Sequence, residues 1–384
     1  MQSVIVAHLA DTHLGYRQYS IYERELDIYE AFSEAISKII EERVDIVVHA
    51  GDFFDTSKPP PQAIRVAIRE LRRLREAGIP IVAVLGDHDI PKRRGEHPLS
   101  VLEEVGLVKV LGVSNDAMIS LRVRNGSEVL VAGLPHHRKT AVDKLRLRLA
   151  SLANPDFNGP KILVLHQGLE GYSPEPEIAV DELPRGYSYY ALGHIHRPST
   201  LRVGETIGAY PGSLDALRLD EAEYEHGFVI AEVDSRSAYT YQVKLDNLRP
   251  QPLYLIDYES LEEELRRIAS TLSGYQKKPL LHLVIRGRKI DRQRVYRLVQ
   301  MLLGDKTLYT HLLIDEIVDE TSGVRVEPDA RLDRFELLVK LLGDRELAKL
   351  ADDIIEKVAA GARDYEIRLV VEEFFKKRYG GGTQ

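Results

Sequence analysis

"VDIVVHAGDFFD", residues 44–55, is a run of β-branched residues that stops at a glycine and two carboxylates. "IPIVAVLGDHD", residues 79–89, repeats the design, and helical "PPQAIRVAIRELRRLREAG", residues 60–78, separates the two. Strand, helix, strand with polar groups at the strand ends is the pattern of an α/β sheet whose chemistry gathers at one edge.

The pattern extends in both directions. "SVIVAHLA" (3–10), "EVLVAGLP" (128–135), "KILVLHQG" (161–168), "YYALGHIH" (189–196) and "GFVIAEVD" (227–234) read as further strands, and residues 23–44 as a helix. The later strands are closely spaced, which predicts a second sheet. The expected fold class is therefore α/β, a two-sheet sandwich flanked by helices. Near the proline-bearing stretch 247–258 the rhythm changes. Strand 253–256, helix 259–272, strand 280–286, helix 291–303 and strand 309–317 form a small α+β module. From about residue 330 the pattern is helical only: Phe335, Leu338, Val339 and Leu342, then Leu347, Leu350, Ala351 and Ile354, then Ile367, Val370, Val371, Phe374 and Phe375. The expected domains are 1–250, 251–325 and 326–384.

The 384 residues contain no cysteine, so a metal must rest on His, Asp or Glu. No apolar run reaches the ~20 residues that span a bilayer, and the N-terminus carries no signal-peptide pattern; a cytoplasmic protein without membrane partners is expected. A net charge of −8 argues against a protein that coats nucleic acid indiscriminately.

Five strand ends carry clustered donors: Asp11 and His13; Asp52 and Asp55; Asp87, His88 and Asp89; His166; and His194 and His196. Any one is an ordinary turn residue; five together are not. In D-x-H and H-x-H the two side chains share one side of an extended segment, and a carboxylate has two oxygens with which to bridge ions. His49 reads as structural and His8 as packing beside the site. His136 and His137 read as loop positions, with a substrate contact as the alternative.

These residues, in this order, resemble the five motifs of calcineurin-like metallophosphoesterases. "HLADTHLGY" (8–16), "GDFFDTSKPP" (51–60), "YYALGHIHRP" (189–198) and "YPGSLDALRLDE" (210–221) resemble the Mre11/SbcD DNA-repair nucleases more narrowly. The resemblance is strong over residues 1–250. It places the α+β module where that family has a DNA-binding capping domain, and the C-terminal helices, "VVEEFFKKRY" (370–379) among them, where archaeal members bind a Rad50-like ATPase. It implies one metal on Asp11, His13, His196 and Asp52, and a second on Asp52, Asp87, His166 and His194. His88 would stand beside the scissile phosphate, with Asp89 able to orient its ring. It implies two Mn²⁺ per subunit, with Mg²⁺ as the alternative, 3′→5′ exonuclease action on duplex ends, endonuclease action on single strands, nucleoid association, and a homodimer formed by helix 61–76 and "HPLSVLEEV" (97–105). The chain departs from the family at Asp87, usually Asn, and at Asp55, often His.

Tyr16, Arg17, Lys58, Lys92, Arg93, Arg94 and Arg197 follow the motifs closely and are expected to contact DNA phosphates. Two other readings compete: a silent scaffold tethering DNA ends, and a phosphatase or cyclic-nucleotide phosphodiesterase. Phosphatases carry Arg-Gly after the second-motif aspartate and Glu after the third-motif histidine, where this chain has Thr56-Ser57 and Asp89.

Overall fold

The structure is a computed structural model that describes residues 3–113, 116–316, 335, 338–339, 342–359, 370 and 374. The strands are β1 (Val4–Leu9), β2 (Ile46–His49), β3 (Ile81–Ala83), β4 (Lys109–Val110), β5 (Met118–Arg122), β6 (Glu128–Leu134), β7 (Lys161–His166), β8 (Tyr189–Gly193), β9 (Ser199–Val203), β10 (Thr206–Tyr210), β11 (Gly227–Val233), β12 (Ala238–Lys244), β13 (Leu253–Asp257), β14 (Leu280–Gly287) and β15 (Tyr309–Glu316). The helices are α1 (Tyr22–Glu41), α2 (Pro61–Glu76), α3 (Leu99–Glu104), α4 (Val142–Ser151), α5 (Leu261–Leu272) and α6 (Arg292–Leu303), with a later helix over Arg345–Ala359.

Two six-stranded sheets form, in the orders β12-β11-β1-β2-β3-β4 and β5-β6-β7-β8-β10-β9. In the first sheet β1 to β4 run parallel and β11 and β12 add antiparallel at one edge; in the second, β6, β7, β8 and β10 run parallel between antiparallel edges β5 and β9. Side-chain alternation explains the layering. Val4, Val6, Ile46, Val48 and Val82 face Val129, Val131, Ile162, Val164 and Tyr189 in a core between the sheets. The intervening Ala7, Leu9, Val47, Ile81 and Ala83 face the other way, onto α1 and α2. Leu163, Leu165, Tyr190 and Leu192 pack against α4 residues Leu145 and Leu149. His8 continues the inter-sheet row of β1, where its Nδ1 meets the Tyr189 hydroxyl at 2.9 Å.

The α+β module is a three-stranded sheet, β13-β14-β15, covered by α5 and α6. Most of it falls in the same compact unit as the two sheets, which comprises residues 1–285 and 292–314; residues 286–291 and 315–384 form a second unit. The expected boundaries at 250 and 325 thus differ from the compact units. Of the third helical stripe, Ile367, Val371 and Phe375 lie outside the described residues.

The chain around residue 250 is tied to α1 by buried charge. Asp27 receives Arg24 at 2.7 Å and both Nε and Nη2 of Arg249, at 2.6 and 2.9 Å. Arg24, wholly buried, also pairs with Asp215 at 2.9 Å, donates to Gln18 at 2.8 Å and to the Ala216 carbonyl at 3.0 Å. Removing one partner of such a network strands the others without solvent. Arg24→Ala is expected to lower unfolding free energy by about 3–5 kcal/mol, read as a lower denaturant midpoint with an unchanged slope.

Candidate metal centre

The parallel strands of both sheets end on one edge, and the turns that follow them meet there. Asp11 N–H donates to the Gly51 carbonyl at 3.0 Å, His13 N–H to Asp52 O at 3.0 Å and Leu14 N–H to Phe53 O at 3.1 Å, so the first two turns are zipped together. Asp11, Asp52, His13 and His194 all have left-handed backbone, with φ of 51°, 52°, 42° and 95°. Such conformations cost roughly 1–3 kcal/mol each for non-glycine residues and persist where surroundings enforce them. Glycine is required beside them: a Cβ on Gly51 would lie 2.4 Å from His166 Nδ1, and one on Gly86 2.0 Å from Asp52 Oδ1.

Asp52 is the centre. Its Oδ1 accepts the His88 N–H at 2.9 Å. Its Oδ2 lies 3.5 Å from His13 Nε2 on one side and 3.5 Å from His166 Nε2 on the other. On the first side, His196 Nε2 is 3.3 Å from His13 Nε2 and 3.9 Å from Asp11 Oδ1. On the second side, Asp87 Oδ1 is 3.2 Å from His166 Nε2 and 3.3 Å from His194 Nδ1. The seven expected ligands therefore come together as two sets that share one carboxylate.

Tautomers decide whether cations fit. His196 Nδ1 donates to Glu221 Oε1 at 2.9 Å, and His166 Nδ1 donates to the Ala50 carbonyl at 2.7 Å. In the neutral rings the Nε2 atoms therefore present lone pairs, His196 to His13 and His166 to two carboxylate oxygens, and each lone pair can take up a proton or a cation. Facing lone pairs in a buried place repel unless positive charge stands between them. Ligand atoms around an ion at ~2.1 Å sit roughly 3.0–3.4 Å apart, close to the separations found. The residues fit two divalent cations.

The titration behaviour has the same cause. Burial opposes charge on His166, yet the Asp52 and Asp87 carboxylates hold its pKa well above the ordinary imidazole range. Burial would raise Asp52 and Asp87, but the surrounding imidazoles hold both well below the usual carboxylate range. Asp11 is raised, chiefly by burial. Glu221, also buried, is nonetheless held at about 2 by His196, the Leu217 N–H and Arg218.

His88 Nδ1 donates to the Asp55 carbonyl at 2.6 Å, leaving Nε2 toward the cleft; its ring stands edge-on to His13 at 4.7 Å. The expected Asp89–His88 contact is absent. Asp89 is fully buried, and its oxygens accept the N–H groups of Gly86, Phe53 and Phe54 at 3.0, 3.1 and 2.9 Å. It ties the third turn to the second. Asp55 lies 3.4 Å from His13 Nδ1 and 3.8 Å from His88 Nδ1.

A cleft of about 860 Å³ opens over the centre. Tyr16 and Arg197 line it, as do Arg138, Lys139, Tyr172, Arg218 and Tyr224, which sequence reasoning did not select. Lys58, Lys92, Arg93 and Arg94 are exposed, and among the described residues none lines the cleft. Arg17 is engaged by Glu25, beneath which lies the Tyr29 hydroxyl. Glu221 was also missed; its only signal was its place in "YPGSLDALRLDE". His136, read as a loop position, is half-buried in the site: its ring stacks on His194 at 5.4 Å, and burial pushes its pKa down to about 4. His137 is buried, its N–H donating to Gln167 Oε1 at 2.9 Å. His49 is buried beneath the site with Nε2 3.2 Å from Thr12 Oγ1.

The calcineurin-like phosphoesterase family model matches residues 5–198. The DNA double-strand break repair protein Mre11 of Sulfurisphaera tokodaii is 33% identical over 98% of this chain and 97% of its own length. The protein of that description from Saccharolobus solfataricus is 32% identical over 98% and 99%. Among solved structures, a dimetal phosphatase from Danio rerio covers 62% of this chain and 98% of its own, at 11% identity and a TM-score of 0.41.

Asp52→Asn replaces the shared charged oxygen at constant size. The number of tightly held cations per chain is expected to fall from two to one or none, measured by elemental analysis after gel filtration in Mn²⁺.

Proposed function

The chain belongs to the calcineurin-like phosphoesterase family and, within it, to the Mre11 double-strand break repair proteins, and from that membership we propose a two-metal nuclease that hydrolyses DNA phosphodiesters. The observation that carries the reading is the pair of ligand sets joined through Asp52 Oδ2. The exonuclease polarity on duplex ends and the action on single strands are part of the proposal, as is Mn²⁺ over Mg²⁺. Mixed imidazole and carboxylate donors without thiolate support Mn²⁺.

Bound there, two divalent cations would neutralise the phosphodiester and lower the pKa of the attacking water. His13 and His196, with Asp11 and Asp52, would hold one; His166 and His194, with Asp52 and Asp87, the other. Glu221 and the Ala50 carbonyl keep the His196 and His166 rings turned lone pair inward. His88 holds a proton at Nε2 for the departing 3′ oxygen. Burial works against its charge, but Asp52, the Asp55 carbonyl and Asp87 raise its pKa, so the acid form persists toward neutral pH. Arg138 and Arg197 supply positive charge at the rim.

A homodimer through α2 and α3 is part of the proposal. The outer face of α2 exposes Arg65, Arg69 and Arg72, while the α3 region exposes Val101 and Val105 among Glu96, Glu103 and Glu104. A two-fold axis would set basic against acidic faces. Association with a Rad50-like ATPase through residues 326–384 is proposed on resemblance; of the segment 370–379 only Val370 and Phe374 are among the described residues. Among the described residues, no helix is long and apolar enough to cross a membrane.

The test compares nitrophenyl phosphate, bis(4-nitrophenyl) phosphate, and single-stranded and duplex DNA, each with Mn²⁺ and with Mg²⁺. Turnover of the diester and DNA supports a nuclease; turnover of the monoester alone makes the chain a phosphatase, and no turnover with two bound cations makes it a scaffold. His88→Ala is expected to cut DNA hydrolysis by about 10²–10⁴-fold with both cations retained, read by oligonucleotide cleavage beside elemental analysis. Replacing Lys92, Arg93 and Arg94 together by Ala should weaken binding to all DNA sequences alike. It should also flatten the dependence of log affinity on log salt by about 2–3, as measured by anisotropy titrations.

A further inference from the structure

We propose that His136 is a further substrate-contacting residue, donating its Nε2–H to a non-bridging oxygen of the phosphodiester held at the Asp87 and His194 end of the cleft. The inference rests on the nuclease reading and adds a contact to it. A ring nitrogen of His136, a ring nitrogen of His194 and a carboxylate oxygen of Asp87 lie within 4.8 Å of one another. By distance alone His136 could be another metal ligand. Its hydrogen bonds argue otherwise.

The Gln167 amide settles the tautomer. Its Oε1 accepts the His137 N–H at 2.9 Å and its Nε2 donates to the His137 carbonyl at 3.2 Å. Both ends of the amide are thus assigned by backbone groups that cannot change roles. The same Nε2 lies 3.2 Å from His136 Nδ1, and an amide N–H can only donate. His136 Nδ1 therefore accepts. The His166 carbonyl, 3.3 Å from that nitrogen, could accept only from a protonated Nδ1, whose hydrogen would then face the amide N–H. The neutral ring then carries its proton on Nε2, which has no hydrogen-bond partner among the described residues and borders the cleft. A protonated nitrogen cannot ligate a cation; it can donate to a phosphoryl oxygen.

The ring is also held in place. It stacks on His194 with planes 28° apart and stands edge-on to His166 at 5.9 Å. Two residues on, Arg138 lines the same cleft. The turn after β6 thus offers a short donor near the cations and a long cation at the rim. His88 stands edge-on to His13, with its Nε2 4.0 Å from Asp87 Oδ2. A phosphodiester would lie between two imidazoles: His136, whose Gln167 partner leaves its proton on Nε2, and His88, whose Nδ1–H is taken by the Asp55 carbonyl, so that it donates from Nε2 as the acid form.

The full-length Mn²⁺-loaded chain tests this by three measurements on His136→Ala and His136→Gln: elemental analysis, turnover of bis(4-nitrophenyl) phosphate, and calorimetric affinity for inorganic phosphate. His136→Ala is expected to keep two cations and to lose about 10- to 100-fold in kcat/KM and about tenfold in phosphate affinity. His136→Gln, whose amide nitrogen reaches the place of Nε2, is expected to recover most of both. Loss of a cation in His136→Ala would make the residue a ligand and overturn the proposal, as would unchanged phosphate affinity, or a wild type that binds no phosphate. A wild type that turns over no diester, yet binds phosphate in a His136-dependent way, would keep the contact and discard the nuclease.

Discussion

Everything at the functional edge answers to one constraint: buried lone pairs converge on Asp52 Oδ2 from both sides. His13 Nε2 and His166 Nε2 stand at equal 3.5 Å separations from it, each followed by a second imidazole at 3.3 Å. Without positive charge between them that arrangement is repulsive, most of all around Asp52 and His166, which are buried. With two cations it becomes a chelate. The strained backbone of Asp11, His13, Asp52 and His194 belongs to the same account. The turns are held in unfavourable conformations because the side chains must all arrive at one place, and the zipped main chain between the first two turns keeps them there.

What holds the ligands is a shell of groups that touch neither cation nor substrate. Asp89 uses both oxygens on three backbone N–H groups and so joins the second and third turns. Glu221 accepts from His196 with one oxygen and from the Leu217 and Arg218 N–H groups with the other, which fixes the ring and its own turn together. The Ala50 carbonyl does the same for His166. These groups set tautomers, and tautomers determine which nitrogen offers a lone pair and which a proton. The same logic separates His136 from its neighbours: it sits among ligands, but the Gln167 amide assigns it the opposite tautomer.

Much of this was legible in the sequence because it is periodic or local. The near-continuous apolar runs of β1, β2, β6 and β7 report strands covered on both faces, and the donors beyond each strand end report the edge where the sheets open. The α+β module was readable within a few residues, since α5 and α6 carry their own amphipathic stripes. What escaped lies between elements distant in the chain. Glu221 is a carboxylate in a polar turn until the fold carries it 25 residues back to His196. Asp89 adjoins His88 in sequence, which suggested a partnership, but adjacent residues in a turn point apart and its oxygens reach the second turn instead. Arg17 looked free because its partner, Glu25, lies on the following helix. His136 reads with His137 as a loop position, a substrate contact being the alternative, and no local spacing marks a ring that packs on one residue 58 positions later.

Asp87 sets the charge the site offers its substrate. Asp11, Asp52 and Asp87 together offset all but one unit of the charge on a pair of divalent cations, whereas a neutral carbonyl donor at residue 87 would leave two. A phosphodiester carries a single negative charge, so with Asp87 the complex is neutral and dry electrostatic attraction is lower than it would be with Asn. The positive charge that draws DNA in must then come from farther out. The cleft has it: Arg138 and Arg197 line the rim without carboxylate partners among the described residues, while Arg218 and Lys139 are paired with Glu221 and Glu175. Neutral donors gain importance at such a centre, because they orient a phosphoryl group without adding to the charge balance. An imidazole whose proton is fixed by its neighbours, as at His136, supplies that orientation where another cation would only compete for ligands.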